Sequence, residues 1–404
     1  MRIIETNNSE TINKIMRGIN VDAYGIKIMS PKASSLMVEI PSISNPSANI
    51  LKQQMLSLGA DAAVSRSSLT GQIKKTPCIL IGNLSQFHKL QEKMKLQPFG
   101  MADFAKQLKT LFANYQRNSF TVDLGSTRLH LKEGQACLMG ILNITPDSFS
   151  NDGLYQNNSI DTGKILDAAL SMVKEKAQII DVGGESSRPQ AKPVSEKEQL
   201  RRVIPVIKLL AKKIRIPISI DTYKPEVAKA ALDNGAAIVN DISGLRDKKM
   251  PKVIARYKAA VVIMHMRNRP SNMQKNISYA NLIADIKSFL SESINKAHDA
   301  SIPNNKIIID PGIGFGKTLE HNLEILNRLR EFKTLGMPVL IGPSRKSFIG
   351  NILGIEDPQK RINGTIAACL LAVKNGVNIL RIHDIKQINE ALKIWEAASK
   401  IWNS

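Results

Sequence analysis

Asp310 ends a run of three isoleucines, Ile307, Ile308 and Ile309, and the turn Pro311-Gly312-Ile313-Gly314-Phe315-Gly316-Lys317 follows at once. Three β-branched residues in a row predict a strand buried on both faces. The Pro/Gly-rich turn is too broken to continue as strand or helix. A carboxylate at the end of such a strand stands where parallel α/β folds place ligands; taken alone, a capping or turn aspartate is the plainer alternative. Arg381 and His383 lie two apart on another apolar run, so both side chains face the same side. Asn143 opens the turn Asn143-Ile144-Thr145-Pro146-Asp147-Ser148-Phe149-Ser150, whose oxygens suit a hard cation or a phosphate. The stretch Asp181-Val182-Gly183-Gly184-Glu185-Ser186-Ser187-Arg188-Pro189 combines backbone amides, hydroxyls and a guanidinium, a mixture suited to an anion or a carboxylate. No Ser–His–Asp or Cys–His arrangement appears, so covalent catalysis is not expected.

Eight apolar runs carry these residues, each with its polar groups at the C-terminal end: 138–143, 178–181, 216–221, 237–241, 261–265, 306–310, 338–344 and 377–384. Between them lie amphipathic segments such as 196–213 and 281–300. Eight strands alternating with helices predict an α/β fold, a (β/α)8 TIM barrel with its site on the C-terminal rim. A doubly wound open sheet is the alternative, and no Gly-x-Gly-x-x-Gly follows the first strand to support it. Residues 120–131 alternate apolar and polar around Gly125-Ser126. That pattern predicts a β-hairpin, placed to plug the barrel's bottom.

The chain has 404 residues, too many for one barrel of about 250. Residues 1–117 are expected to form a small N-terminal α/β domain and residues 118–404 the barrel. In the former, 47–58 reads as a helix stopped at Gly59, 60–65 and 78–81 as short strands, and Phe104, Leu108, Leu111, Phe112 and Tyr115 as one face of a helix. Arg66, Lys74 and Lys75 could face an anion but read better as a solvated face. No catalytic constellation appears there, and its role is open. No apolar run approaches the roughly 18 residues that span a bilayer, and MRIIETNNSE has no signal-like apolar segment. Cys78, Cys137 and Cys369 are far apart, which indicates neither a disulfide framework nor a zinc site. A cytoplasmic location and no membrane partner are expected. The net charge of +21 is mostly scattered Lys, with 4% aromatic residues. No nucleic-acid-binding signature accompanies it, so no nucleic-acid partner is expected and a phosphate-type ligand accounts better for the charge.

From about residue 120 to the end, the motifs LMGILNITPDSFS, IIDVGGESSRP, ISIDTYKPEVA, IVNDISG, VIMHMR, IIIDPGIGFGK, IGPSRKSFIG and RIHD follow in order. In these the chain resembles the dihydropteroate synthases of the pterin-binding family. The resemblance implies condensation of 4-aminobenzoate with 6-hydroxymethyl-7,8-dihydropterin diphosphate, giving 7,8-dihydropteroate and pyrophosphate. It implies a dissociative route, in which pyrophosphate leaves before the aniline nitrogen attacks. It assigns Asp310 to the pterin edge, with Asp221 and Asn240 on the rest of the ring. Lys346 is implied as donor to the ring carbonyl and N5 side, with Met266 and Phe315 packing beside it. Arg381 and His383 are implied at the diphosphate, Asp181 among the catalytic residues, and Asn143 as the Mg2+ contact. Ser187, Arg188 and Pro189 match the loop that closes over aminobenzoate. Ser187 and Gln190 depart from the usual Thr and Gly, which bears on aminobenzoate affinity. A homodimer through the last helices is implied, where Ile388, Leu392, Trp395 and Trp402 form a stripe that could equally be core.

Three rival readings fit the residues less well. A corrinoid-partnered methyltransferase would share the pterin contacts but needs no diphosphate site, and the first rim loop, SRK and RIHD speak against it. A pterin-binding regulator without turnover would lack a catalytic residue, and none is lost. Gly312–Thr318 resembles a phosphate-binding loop, but three residues rather than four separate Gly312 from Gly316 and Pro311 disrupts it. The rim loops 143–153 and 183–193 are rich in Gly, Ser, Asn and Pro, and are expected to order around pyrophosphate.

Overall fold

The computed structural model describes residues 1–4, 9–69, 73–145, 155–156, 159–186, 193–268, 273–274 and 277–403. Two compact units result: Met1–Ala113 with Ala398–Ser404, and Asn114–Ala397.

The larger unit is a parallel barrel of eight strands. They are β1 (Cys137–Asn143), β2 (Ile179–Gly183), β3 (Ile218–Asp221), β4 (Ile238–Asp241), β5 (Ala260–Met264), β6 (Ile307–Asp310), β7 (Leu340–Ile341) and β8 (Ile379–Ile382). Every apolar run read from the sequence holds one of them. The hydrogen-bonded order is β6-β5-β4-β3-β2-β1-β8-β7, and a parallel bridge from Ile309 to Val339 brings β6 and β7 together. The runs lack strict alternation because one face meets the barrel interior and the other meets the helices. Ile307 and Ile309 join the outer core, while Ile308 faces the inner one. Each such side chain contributes about 1.5–3 kcal/mol by leaving water.

The interior is filled from below. The hairpin Ser119–Asp123 and Arg128–Lys132 inserts Val122, Leu124, Leu129 and Leu131 among Cys137, Ile179, Ile238, Ala260 and Ile379. Those five are the first residues of their strands, so the hairpin does plug the N-terminal end. Lys306 fastens it, its Nζ donating to the Asp123 carbonyl at 3.0 Å and pairing with the Asp123 carboxylate at 3.2 Å. With apolar layers below, polar inward-facing residues are confined to the upper turns of the strands.

The smaller unit is an antiparallel sheet with strand Lys75–Asn83 between Ser35–Ser44 and Asp61–Val64. Helices Asn45–Ser57, Leu84–Met94 and Met101–Tyr115 share a core that includes Leu51, Met55, Leu80, Phe87 and Phe112. The strand Ser35–Ser44 escaped sequence reading because Pro41 interrupts it; the register slips between Ile40 and Ile43, where a bulge absorbs the missing donor. The C-terminal helix Ile385–Asn403 buries Ile388 and Leu392 in the outer core of the barrel, with Trp395 packed against it. That part of the stripe is therefore core; the Trp402 side chain lies outside the described residues. Among the described residues no helix is long and apolar enough to cross a membrane.

Candidate active site

Neighbouring strands bring their last inward residues to one level. Asp221 stands beside Asn240 in the β3–β4 register, and Asp310 beside Met264 in β5–β6. Arg381, from β8, reaches across the barrel. Its Nε donates to Asp181 Oδ2 at 2.6 Å and its Nη2 to Asp221 Oδ2 at 2.7 Å. Asn240 Nδ2 donates to the same Asp181 oxygen at 3.1 Å. Two carboxylates thus hold one guanidinium in a fixed plane, a bonding pattern suited to arginine rather than lysine. Asp181 has no accessible surface. Its Oδ1 and the neighbouring Ser219 Oγ are buried without a partner among the described residues, although Ser219 sits directly opposite Asp181 in the β2–β3 register.

Asp310 is 5% exposed, and its Oδ1 accepts from the Gly312 amide at 2.6 Å. Burial pushes its carboxyl up to about 6, while Gly312, Lys346, Lys317 and Arg381 pull the other way. Burial raises Asp221 too, against the opposing pull of Arg381. Lys346 carries its ammonium 4.1 Å from the centre of the Phe315 ring. Burial, then the Arg381 charge, lowers it to about 8. Phe315 and Met266 belong to a small apolar cluster with Ile242, Met264 and Met273, which supplies the packing expected of them.

The backbone that presents Lys346 is braced by residues the sequence reading passed over. Arg345 adopts a left-handed φ of 58°, and its side chain makes paired bonds to Asp384, Nε to Oδ2 at 3.1 Å and Nη2 to Oδ1 at 2.6 Å. Its amide donates to Thr365 Oγ1 at 3.1 Å, and its carbonyl accepts from Arg361 at 3.0 Å. Ser344 Oγ lies 3.0 Å from His383 Nδ1 and accepts from the His383 amide at 3.2 Å. The SRK and RIHD motifs are thus two halves of one structure. Spacing could not have paired Arg345 with Asp384, since 39 residues separate them.

Glu185 similarly gathers the start of the second rim loop. It accepts from Tyr223 at 3.0 Å, from Lys224 at 3.1 Å and from Gln199. Ser187, Arg188, Pro189 and Gln190, like most of the first rim loop from Pro146 onward, lie outside the described residues. Asn143 ends β1 half-buried. Gly183 lies so close to it that an added Cβ would come within 2.9 Å of the Asn143 Oδ1 and displace that side chain.

The comparisons agree with this geometry. A family model described as pterin binding enzyme matches residues 139–383. A dihydropteroate synthase from Synechocystis is 46% identical over 261 residues, 64% of this chain and 89% of that protein. A Haloferax volcanii protein, named as a probable bifunctional folylpolyglutamate synthase/dihydropteroate synthase, is 35% identical over 356 residues, 86% of this chain and 41% of its own length. That match exceeds the barrel unit, so it runs into the N-terminal unit as well. Among solved structures, the Xanthomonas albilineans dihydropteroate synthase in complex with 7,8-dihydropteroate superposes with a TM-score of 0.60 at 35% identity, covering 69% of this chain and 98% of that one. The chain belongs to the pterin-binding enzyme family, among its dihydropteroate synthases.

Proposed function

We infer that the barrel joins 4-aminobenzoate to 6-hydroxymethyl-7,8-dihydropterin diphosphate. The observation that carries this reading is the layer at the strand ends. Asp310, Asp221 and Asn240 offer acceptors and a donor on one side, and Lys346 and Arg381 supply cations on the other. A pterin edge presents an N–H and an amino group together, which the Asp310 carboxylate accepts as a pair. Asn240 and the Asp221 Oδ1, which has no partner among the described residues, continue that edge, and Lys346 donates to the ring carbonyl and N5. Phe315 and Met266 wall the ring. Asp181, fully buried, acts through Arg381 and Asn240 and positions both without touching the substrate.

The pterin methylene C–O bond breaks and its electron pair leaves with pyrophosphate. The aniline nitrogen then forms the C–N bond and sheds one proton. Arg381, held in plane with its Nη1 unoccupied among the described residues, and His383 nearer the mouth lie where negative charge grows on the leaving group. Ser187, Arg188 and Pro189 are assigned to aminobenzoate. Asn143 offers one hard amide oxygen, and among the described residues no three His, Cys, Asp or Glu side chains converge on a metal. A lone protein oxygen fits Mg2+, which keeps waters and substrate phosphates in its shell; bound there, the ion would neutralise diphosphate charge. The last helices are assigned to a homodimer, by faces other than the buried Ile388 and Leu392.

The test is turnover with both substrates. With both substrates present, dihydropteroate and pyrophosphate in equal amounts are expected. Folded protein that yields no dihydropteroate from the two overturns the reading.

A further inference from the structure

Lys317 ends the Gly-rich turn after β6 and is almost wholly buried, at 3% exposure. Its ammonium donates to the Phe315 carbonyl and lies against His265 Nδ1, both at 3.0 Å. His265 closes β5, and its amide donates to the Asp310 carbonyl at 2.9 Å. Burial and the nearby Lys317 hold this imidazole neutral, at about 2, so Nδ1 serves as an acceptor. The rings of Phe289 and Tyr279 flank it at 5.0 and 6.1 Å. The ammonium is thereby bound by two neutral acceptors and, among the described residues, by no carboxylate. Gly312 explains why it is there. A Cβ on Gly312 would stand 3.4 Å from Lys317 Nζ and 1.9 Å from the His265 carbonyl oxygen. Asp310 Oδ1 bonds the amide of that same glycine. The positive charge and the carboxylate flank one glycine that nothing larger could replace.

Taking the pterin reading of Asp310 as given, we propose that Lys317 is a positioning residue, a buried counter-charge that keeps Asp310 ionised to receive the pterin N–H pair. Burying an ammonium without a bonded carboxylate is costly, and a neutral residue would fill the space more cheaply if packing were its purpose. The other charges facing the pair are Lys346 after β7 and Arg381 from β8; Asp221 from β3 faces Lys346, and Arg246 and Arg267 face His265. Lys346 and Arg381 have ligands of their own to engage in the complex, whereas Lys317 is sealed off. Burial lowers it to about 7, with Asp310 pulling it up and Lys346 pushing it further down, so its charge is present on the acid side, where Asp310 would otherwise take a proton.

The experiment replaces Lys317 with Gln, which keeps a donor for Phe315, and with Met, which keeps the volume. Pterin diphosphate affinity is measured by calorimetry from pH 5 to 9, with thermal unfolding as the folding control. The expected result is an acid limb moved to higher pH by about one unit or more in both variants. Equal weakening at every pH, with the acid limb unmoved, assigns Lys317 to structure alone and overturns the proposal. If neither variant folds, the 15Nζ resonance of Lys317 in the wild-type pterin complex decides. A protonated ammonium at pH 6, where Asp310 would otherwise gain its proton, supports the proposal, and a neutral amine there overturns it. Asp310→Ala is measured alongside: wild-type pterin affinity there refutes the pterin reading itself rather than the part played by Lys317.

Discussion

Replacing Asp310 with Ala separates binding from folding with unusual sharpness. The variant loses two charge-assisted hydrogen bonds to the pterin, each worth roughly 1.5–3 kcal/mol. At 1.4 kcal/mol per decade, pterin affinity should fall by about a hundredfold to ten-thousandfold. Stability responds differently. In the folded chain the carboxyl is raised from 3.8 to about 6, so its charged form is disfavoured relative to the unfolded state. That cost is absent below about pH 4 and complete above about 6, where it amounts to roughly 3 kcal/mol. Alanine removes it, while loss of the Gly312 bond and of a counter-charge for Lys317 and Lys346 offsets part of the gain. The melting temperature at pH 8 should therefore stay within about 5 °C of the parent. Calorimetric titration with the pterin diphosphate and thermal unfolding measure the two quantities. Unchanged affinity would remove Asp310 from the pterin edge; a collapsed melting temperature would show that the carboxylate holds the fold.

The remaining expectations concern the brace, the pH profile, the rim and the N-terminal unit. Asp384→Asn weakens the paired bond to Arg345, and since no substrate contact is assigned to Asp384, a tenfold or greater loss of kcat/KM with normal folding would trace to Lys346 placement; unchanged kinetics would dismiss the brace. Pterin affinity should peak between about pH 6 and 8, falling below as Asp310 gains a proton and above as Lys346 loses one; a profile flat from 5 to 9 would contradict both shifts. Aminobenzoate should bind free enzyme weakly and much better with Mg2+, pyrophosphate and pterin present, and Asn143→Ala should reduce that gain; equal affinity in calorimetry with and without pyrophosphate would exclude the coupling. A chain starting near Asn118 should retain turnover if it folds, and a folded but inactive truncation rescued by residues 1–117 in trans would show that the N-terminal unit completes the site.

The barrel was legible because buried parallel strands leave continuous apolar runs, and because each run here stops at a polar residue. Asp221, Asn240, Asp310 and Arg381 were therefore visible as strand ends, and the structure brings them to one level. Lys317 was quoted in its motif but not recognised, since nothing local announces that a lysine after Gly316 will be sealed against His265, 52 residues earlier. Asp384 and Arg345 failed for the same reason: a pair that forms only when β7 and β8 lie side by side has no signature in spacing. The helix Leu84–Met94 was missed despite a readable sign, the Asn83 and Gln86 of a reciprocal capping box. Asp181, which ends the apolar run 178–181 in the sequence, lies two residues before the end of β2, a depth that a strand-end pattern does not encode.

The hairpin under the barrel imposes a queue. With Val122 and Leu131 packed into one end, a ligand of the strand-end residues would enter and leave by the opposite face. Along β8 Arg381 comes before His383, so a ligand that reaches Asp181's level must first pass the histidine. Whatever sits deepest has to arrive first and depart last. A pterin ring seated on Asp310 would thus precede aminobenzoate, and the product would withdraw with its benzoate end leading. The order of traffic would then be set by a wall of leucine and valine at the far end, residues outside any substrate's reach.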